Sequence, residues 1–504
     1  MSVKSLFQAC AGVAVALMGA RLPAATRVVD KFHGPYYTIQ AAVEAAEAGE
    51  TVFVRNGIHD VGGALDGFST PMSNRVYVAK SLTLVGESKE GAIIKGAHAT
   101  EEVDDKGLGC GANAVRCLGI NADNVVVSNL TLTGGATHNT TAGNDKEENN
   151  GDDFHGGGVL AEYGTAATLA TVTDCVISNC VARRGGGGFF GIYNRVRFLD
   201  NRVLQGGNGP AVRGNGANNC FLVNCVIDRN EGYATVYFPT LLNCTFGADN
   251  TQNGNKDGVS VIRESGDVRN CLFLGKNSAI GKADAAGEVT ATRFYDCVFS
   301  MEMKAYLDKQ AAKTDGSKVF VDASCTATAE LAVADDLTPV VGANAAVDAA
   351  NADGYDAAMW GELDVYGNPR RVNGLRLDVG AVEADWKAAY TEAIECRFQV
   401  TAADPAVELV ADGVLIPAGA SLAATVGRAG VANGAYVLRA TVNGKACAVT
   451  QDGAAAHALV QGANEARIRT GATGLTDLVF TADASGSTVI AALKAASCMF
   501  MILR

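Results

Sequence analysis

The stretch Asn144-Asp145-Lys146-Glu147-Glu148-Asn149-Asn150-Gly151-Asp152-Asp153-Phe154-His155-Gly156 is the most suggestive polar cluster in the chain. Carboxylates this close together can ligate calcium through oxygen, or share the roles of acid and base in breaking a glycosidic bond. Asp145, Glu148 and Asp152 are the candidate calcium ligands, and Asp152, Asp153 and His155 the candidate catalytic groups. Arg183 and Arg184 form a second polar pair further along the chain. A plainer reading stands beside this one, because a run so polar also suits a solvated insertion between two structural elements.

Cysteine chemistry is the next possibility. Of 14 cysteines, Cys10 falls in an apparent leader, leaving an odd number, so at least one cannot pair within the chain. Cys175, Cys225, Cys244, Cys271 and Cys297 occupy one place in a recurring phrase, which predicts a stack of buried thiols behaving as small hydrophobes. Disulfides between adjacent rungs are the alternative for these. Cys110 and Cys117, flanking Gly111-Ala112-Asn113, are the candidates for a local disulfide in an exported protein. No CxxC occurs and the six histidines are scattered, so zinc-type ligation has little support.

The elements that would carry these groups announce themselves by repetition. A polar residue, a cysteine or aliphatic, any residue and a large apolar residue recur as Asn129–Leu132, Asp174–Ile177, Arg195–Phe198, Asn224–Ile227, Asn243–Phe246, Asn270–Phe273 and Asp296–Phe299. Alternating faces within so short a phrase read as a β-strand. One strand per phrase, with glycine and asparagine between, reads as a solenoid whose coils stack ~4.8 Å apart. About ten coils between Val28 and Phe320 would make a rod roughly 50 Å long at that spacing. The first gap, between Leu132 and Ile177, could hold two coils or one coil with a loop. The recurring asparagines could stack and satisfy turn backbone groups. Before the repeats, Tyr37–Ala46 has helical spacing and Gly49–Val54 alternates, which predicts a short helix capping the open end and then the first strand.

Residues 1–25 read as a signal peptide: Lys4, an apolar run from Leu6 to Ala20, then Leu22-Pro23-Ala24-Ala25 for cleavage. The expected product is an exported protein at the cell surface or beyond it, with no later transmembrane segment. With Lys+Arg 41 against Asp+Glu 54, the net charge of −13 argues against nucleic acid as a partner.

The run Tyr36–Ile58 and the turns Gly156-Gly157-Gly158-Val159 and Gly185-Gly186-Gly187-Gly188-Phe189 resemble secreted right-handed parallel β-helix repeat proteins of the pectate-lyase-like group. Asp364–Arg370 followed by Asp378–Glu383 is similar to the closing motif of many bacterial β-helix domains, the choice-of-anchor segment. Asp152-Asp153 and His155-Gly156 resemble fragments of polygalacturonase motifs, compressed here into five residues. The resemblance also implies that lyases of this fold pair calcium-binding carboxylates with an arginine or lysine base, a role open to Arg183 or Arg184.

From about Trp386 the texture changes to Ala, Val, Gly and Thr, with short alternating segments separated by Asp412-Gly413, Asn433-Gly434, Asn443-Gly444 and Asp452-Gly453. That pattern predicts an antiparallel β-sandwich. Five aromatics are too few for the two girdles of an outer-membrane barrel. The expected architecture is therefore all-β: a right-handed parallel β-helix with an amino-terminal helical cap, then a carboxy-terminal antiparallel sandwich. Its expected divisions are a leader at 1–25, solenoid at 26–325, closing segment at 326–385 and sandwich at 386–504. The leading functional expectation is a surface or secreted protein that binds extracellular glycans, or acts as an adhesin, without catalysis. The alternative is a polysaccharide lyase or glycoside hydrolase acting on acidic polysaccharide, with calcium as the possible cofactor.

Overall fold

The computed structural model describes residues 25–66, 71–100, 103, 107–138, 155–161, 170–214, 220–252, 260–263, 267–275, 278–280, 282–283, 289–290, 292–312, 319–347, 349–351, 355, 357–361, 363–368, 370, 377–384, 399–403, 408–410, 413–427, 435–443, 447–459, 462–469, 475–482 and 488–495. Residues 1–24 of the expected leader lie outside these.

The recurring phrases lie on one another in unbroken register. Leu132 stands opposite Ile177, Ile177 opposite Phe198, Phe198 opposite Ile227, and the column continues through Phe246, Phe273 and Phe299. The long first gap is therefore one coil with an insertion. Three parallel sheets of 11, 10 and 9 strands wind side by side, the 9-stranded one carrying a single antiparallel edge strand, in a right-handed β-helix. Right-handed crossovers are what twisted parallel strands demand. Inward positions are apolar throughout, and stacking extends to rings, with Phe246 and Phe273 4.7 Å apart and nearly parallel.

The phrase itself is a corner plus a strand, rather than a strand throughout. Its polar first residue has a left-handed backbone in all seven cases: Asn129, Asp174, Arg195, Asn224, Asn243, Asn270 and Asp296 have φ between 49° and 57°. Asn and Asp tolerate that region better than most residues. Arg195 is the exception, and its guanidinium grips both oxygens of Asp174 on the preceding corner, at 2.6 and 2.7 Å. The cysteine that follows points inward and donates its S–H to the carbonyl two residues back: Cys175 to Thr173, Cys225 to Val223, Cys244 to Leu242, Cys271 to Arg269 and Cys297 to Tyr295. Burial pushes the Cys175 thiol up to about 12, and raises Cys225 as well, so these two stay protonated.

The asparagine stack occurs one corner further on, while Asn129, Asn224 and Asn270 give their amides to Gly86, Asn194, Tyr355 and Asn351. Asn201, Asn230 and Asn250 are fully buried, and each side-chain carbonyl accepts the backbone N–H of the residue one coil earlier, at 3.1 Å. The disulfide expected between Cys110 and Cys117 is not formed. Cys117 belongs to the central core, whereas Cys110 packs in a separate cluster with Met72, Ala99 and Ala136.

A helix at Ile39–Ala45, capped by Thr38 Oγ1 accepting from Ala41 N, sits between the first strand, Thr26–Val29, and the second, Thr51–Val54, instead of preceding both. A second helix, Met301–Ala311, buries Met303 and Leu307 and has no counterpart in the sequence reading. After the last rung, Thr326–Thr328, the chain turns back along the corner column. Asn351 exchanges two hydrogen bonds with Asn270 (2.7 and 2.9 Å), the Tyr355 hydroxyl accepts from Asn224, the Trp360 carbonyl accepts from Arg195, and the Val365 carbonyl accepts from Lys89. Asp364 holds the following turn by accepting from the N–H groups of Tyr366 and Asn368, both at 2.8 Å.

Residues 384–504, with 369–377, form a second compact unit. It contains two five-stranded antiparallel sheets, as the alternating segments suggested. The Asp452-Gly453 turn between Cys447–Gln451 and Ala454–Leu459 has φ of 49° and 80°, the mirror-image turn that suits hairpin twist. Among the described residues no helix is long and apolar enough to cross a membrane.

Candidate functional site

Large polar and aromatic side chains gather along the third sheet. The chain enters it through a corner whose left-handed residue is Gly156, Gly185, Gly209 or Ala234 on four successive coils. At Gly185 the φ of 64° favours glycine. At Gly186 the reason is space, because a Cβ there would come within 2.2 Å of the Arg202 carbonyl oxygen. Immediately before these corners stand His155, Arg184, Asn208 and Tyr233, each bridged to the next. A second column runs beside them on the outward side of the strands: Phe189, Arg213, Tyr237 and Arg263, in direct register.

The two columns interlock. The imidazole of His155 stacks on Phe189, with centroids 4.2 Å apart and planes 21° from parallel. The Arg213 guanidinium lies over the Tyr237 ring at 4.8 Å and donates to the side-chain carbonyl of Asn208. Arg263 lies over both Tyr233 and Tyr237, at 5.0 and 5.7 Å, and donates to the Tyr233 hydroxyl. Phe189, Arg213 and Tyr237 are the floor, each no more than 8% exposed. Arg184, Asn208, Tyr233 and Arg263 are half-buried. Guanidinium over an aromatic face is favourable, more so when partly desolvated.

Of the residues singled out in the sequence, His155 and Arg184 come together here. Arg183 precedes Arg184 on the strand Val181–Arg184, where the register shifts between Ala182 and Arg184. Asp145, Glu148, Asp152 and Asp153 lie outside the described residues. Among the described residues no group of three or more His, Cys, Asp or Glu is placed to hold a metal ion. Sequence reasoning missed Phe189, Asn208, Arg213, Tyr233, Tyr237 and Arg263 as members of one face. The available signal was His155-Gly156, Arg184-Gly185 and Asn208-Gly209, a large polar residue before a corner glycine once per coil.

No family model matches the chain, and no curated protein matches it. Solved structures with a similar winding include a pectin methylesterase in complex with a hexasaccharide (15% identity, 61% of this chain and 95% of that chain, TM-score 0.28). Pectin methylesterase PemA from Erwinia chrysanthemi (15%, 60% and 95%, TM-score 0.29) and pectin methylesterase from carrot (11%, 62% and 89%, TM-score 0.29) are further examples. Likenesses of this size transfer no activity to this chain.

Proposed function

We propose that the outer face of the third sheet binds an acidic polysaccharide of the extracellular space. The observation that carries this is Arg263 lying across Tyr233 and Tyr237, continued by Arg213 over Tyr237 on neighbouring coils. Guanidinium forks suit carboxylate or sulfate groups, and aromatic faces suit the apolar faces of sugar rings. Repetition at coil spacing lets a repeating polymer make the same modest contact several times, which multiplies affinity. The net charge of −13 works against long-range attraction of a polyanion as dense as nucleic acid. The leader at 1–25 supports export to where such polymers occur.

The test is affinity electrophoresis of the full chain in gels containing polygalacturonate or neutral dextran. Retardation is expected only in the acidic gel, weakening with added salt and in Arg263→Ala. Equal mobility in both gels would overturn the proposal.

A second reading, a lyase or hydrolase of acidic polysaccharide, is supported by the bridge between His155 and Arg184, because the Asp152-Asp153 pair is separated from that histidine only by Phe154 in sequence. Calcium at Asp145, Glu148 and Asp152 belongs to this reading. Release of unsaturated uronate or new reducing ends, abolished by Asp152→Ala or Asp153→Ala and by chelation, would establish it.

A further inference from the structure

Beneath the amino-terminal end of this face lies an ion pair fully removed from solvent. Arg116 and Asp66 both have fully buried side chains, with Nη1 3.0 Å from Oδ2. The same nitrogen donates to Asn74 Oδ1 at 2.8 Å, and Asn74 Nδ2 donates to Asp66 Oδ2 at 3.2 Å. Asp66 Oδ1 accepts from Met72 N at 2.8 Å. The remaining donors of Arg116 reach one coil onward. Nε donates to the carbonyls of His155 and Gly156 at 3.2 and 2.9 Å, and Nη2 to His155 at 3.0 Å.

A buried pair of this kind is not in itself a stabilising choice, since apolar residues of similar volume often serve a core as well or better. What it supplies here is direction. Both carbonyls it holds belong to the corner that begins the site's first column. Gly156 N in turn donates to the Arg184 carbonyl at 3.1 Å, and His155 bridges Arg184 while stacking on Phe189.

We propose that Arg116 is a positioning residue for the binding face: by drawing the His155 and Gly156 carbonyls onto its ion pair, it fixes where His155 and Arg184 stand. This rests on the reading of the third sheet as the binding surface. Arg116 touches no ligand, and it acts through the backbone of the next coil. Lysine at this position keeps the charge but has no planar fork to hold two carbonyls and a carboxylate at once.

The experiment uses the full chain with labelled histidine, as wild type, Arg116→Lys and Asp66→Asn, the last serving if the lysine variant does not fold. The His155 ring signals, displaced by the Phe189 ring beneath, are expected to move in both variants while those of His59 stay. Arg116→Lys and Arg184→Ala are each expected to weaken polygalacturonate binding about tenfold, the loss of one charged hydrogen bond. The double variant is expected to bind within about twofold of Arg184→Ala alone, because residues in one network do not add. Unmoved His155 signals, or losses that multiply, would overturn the proposal. If the wild type binds no acidic polymer, the reading of the face fails, and the histidine signals still decide the positioning role.

Discussion

Two columns of stacked polar residues run along the solenoid, and their side chains find different partners. Along the corner between the first and second sheets, Asn224, Asn270 and Arg195 give their hydrogen bonds to the returning segment at Tyr355, Asn351 and Trp360. Along the third sheet, Arg213 and Arg263 lie over tyrosine rings with Arg184 and Tyr233 half-buried beside them. The winding is the same in both places. An amide donates and accepts in small, fixed geometry, so it suits a backbone partner supplied by the chain itself. A guanidinium on a ring keeps a planar set of donors pointing sideways, which suits a planar anion. Repetition therefore provides a column, and the side-chain chemistry decides whether the column closes the protein or presents a surface.

That contrast can be broken in several places. Arg116→Met leaves the Asp66 carboxylate buried without its partner, so urea unfolding should show a loss of about 3–5 kcal/mol. A loss under 1 kcal/mol would mean the pair under the third sheet is dispensable to the fold. Asn270→Ala removes both bonds to Asn351, and about 1–3 kcal/mol is expected, with faster proteolysis of the returning segment than of the third sheet. Should cleavage be unchanged, the strap does not depend on the corner amides. Arg263→Ala should cost the fold only about 0.5–1 kcal/mol, the worth of a partly exposed cation over rings, while weakening retardation in polygalacturonate gels. A stability loss matching that of Asn270→Ala would place the third-sheet column on the structural side of the comparison.

The smallest effect is a pH dependence at the amino-terminal rung. Burial holds the His59 imidazole below its ordinary range, with Nε2 2.9 Å from the Arg55 carbonyl oxygen. The unfolded chain therefore binds a proton that the folded one resists. Stability from this group is complete above the ordinary histidine value of about 6.5 and declines as pH falls below it. Hydrogen exchange should quicken first in Gly57–His59 on acidification, and His59→Gln should remove that dependence.

The repeated phrase was legible because stacking imposes the same demand on every coil. Ile177 through Phe299 fall in the single register that the spacing predicts, and the pairing of Leu132 with Ile177 settles the first gap, which spacing left open. Cysteine after the corner was legible as a small buried residue, but its bond to the carbonyl two residues back needs the corner's left-handed turn to be known. The helix at Met301–Ala311 was missed because its buried residues are few and far between, Met303, Leu307 and Gln310 in eleven. The third-sheet face was missed because its members come from four short strands and the corners before them, with no shared residue type.

The order of amino acids determined the winding, the apolar interior and the separate carboxy-terminal sheets, because each follows from local periodicity and turn chemistry. Only the tertiary structure decided which outward residues meet. Whether Arg263 lies over Tyr233 depends on the register between coils and on insertions of unequal length between them, and no pattern within a single coil contains that information.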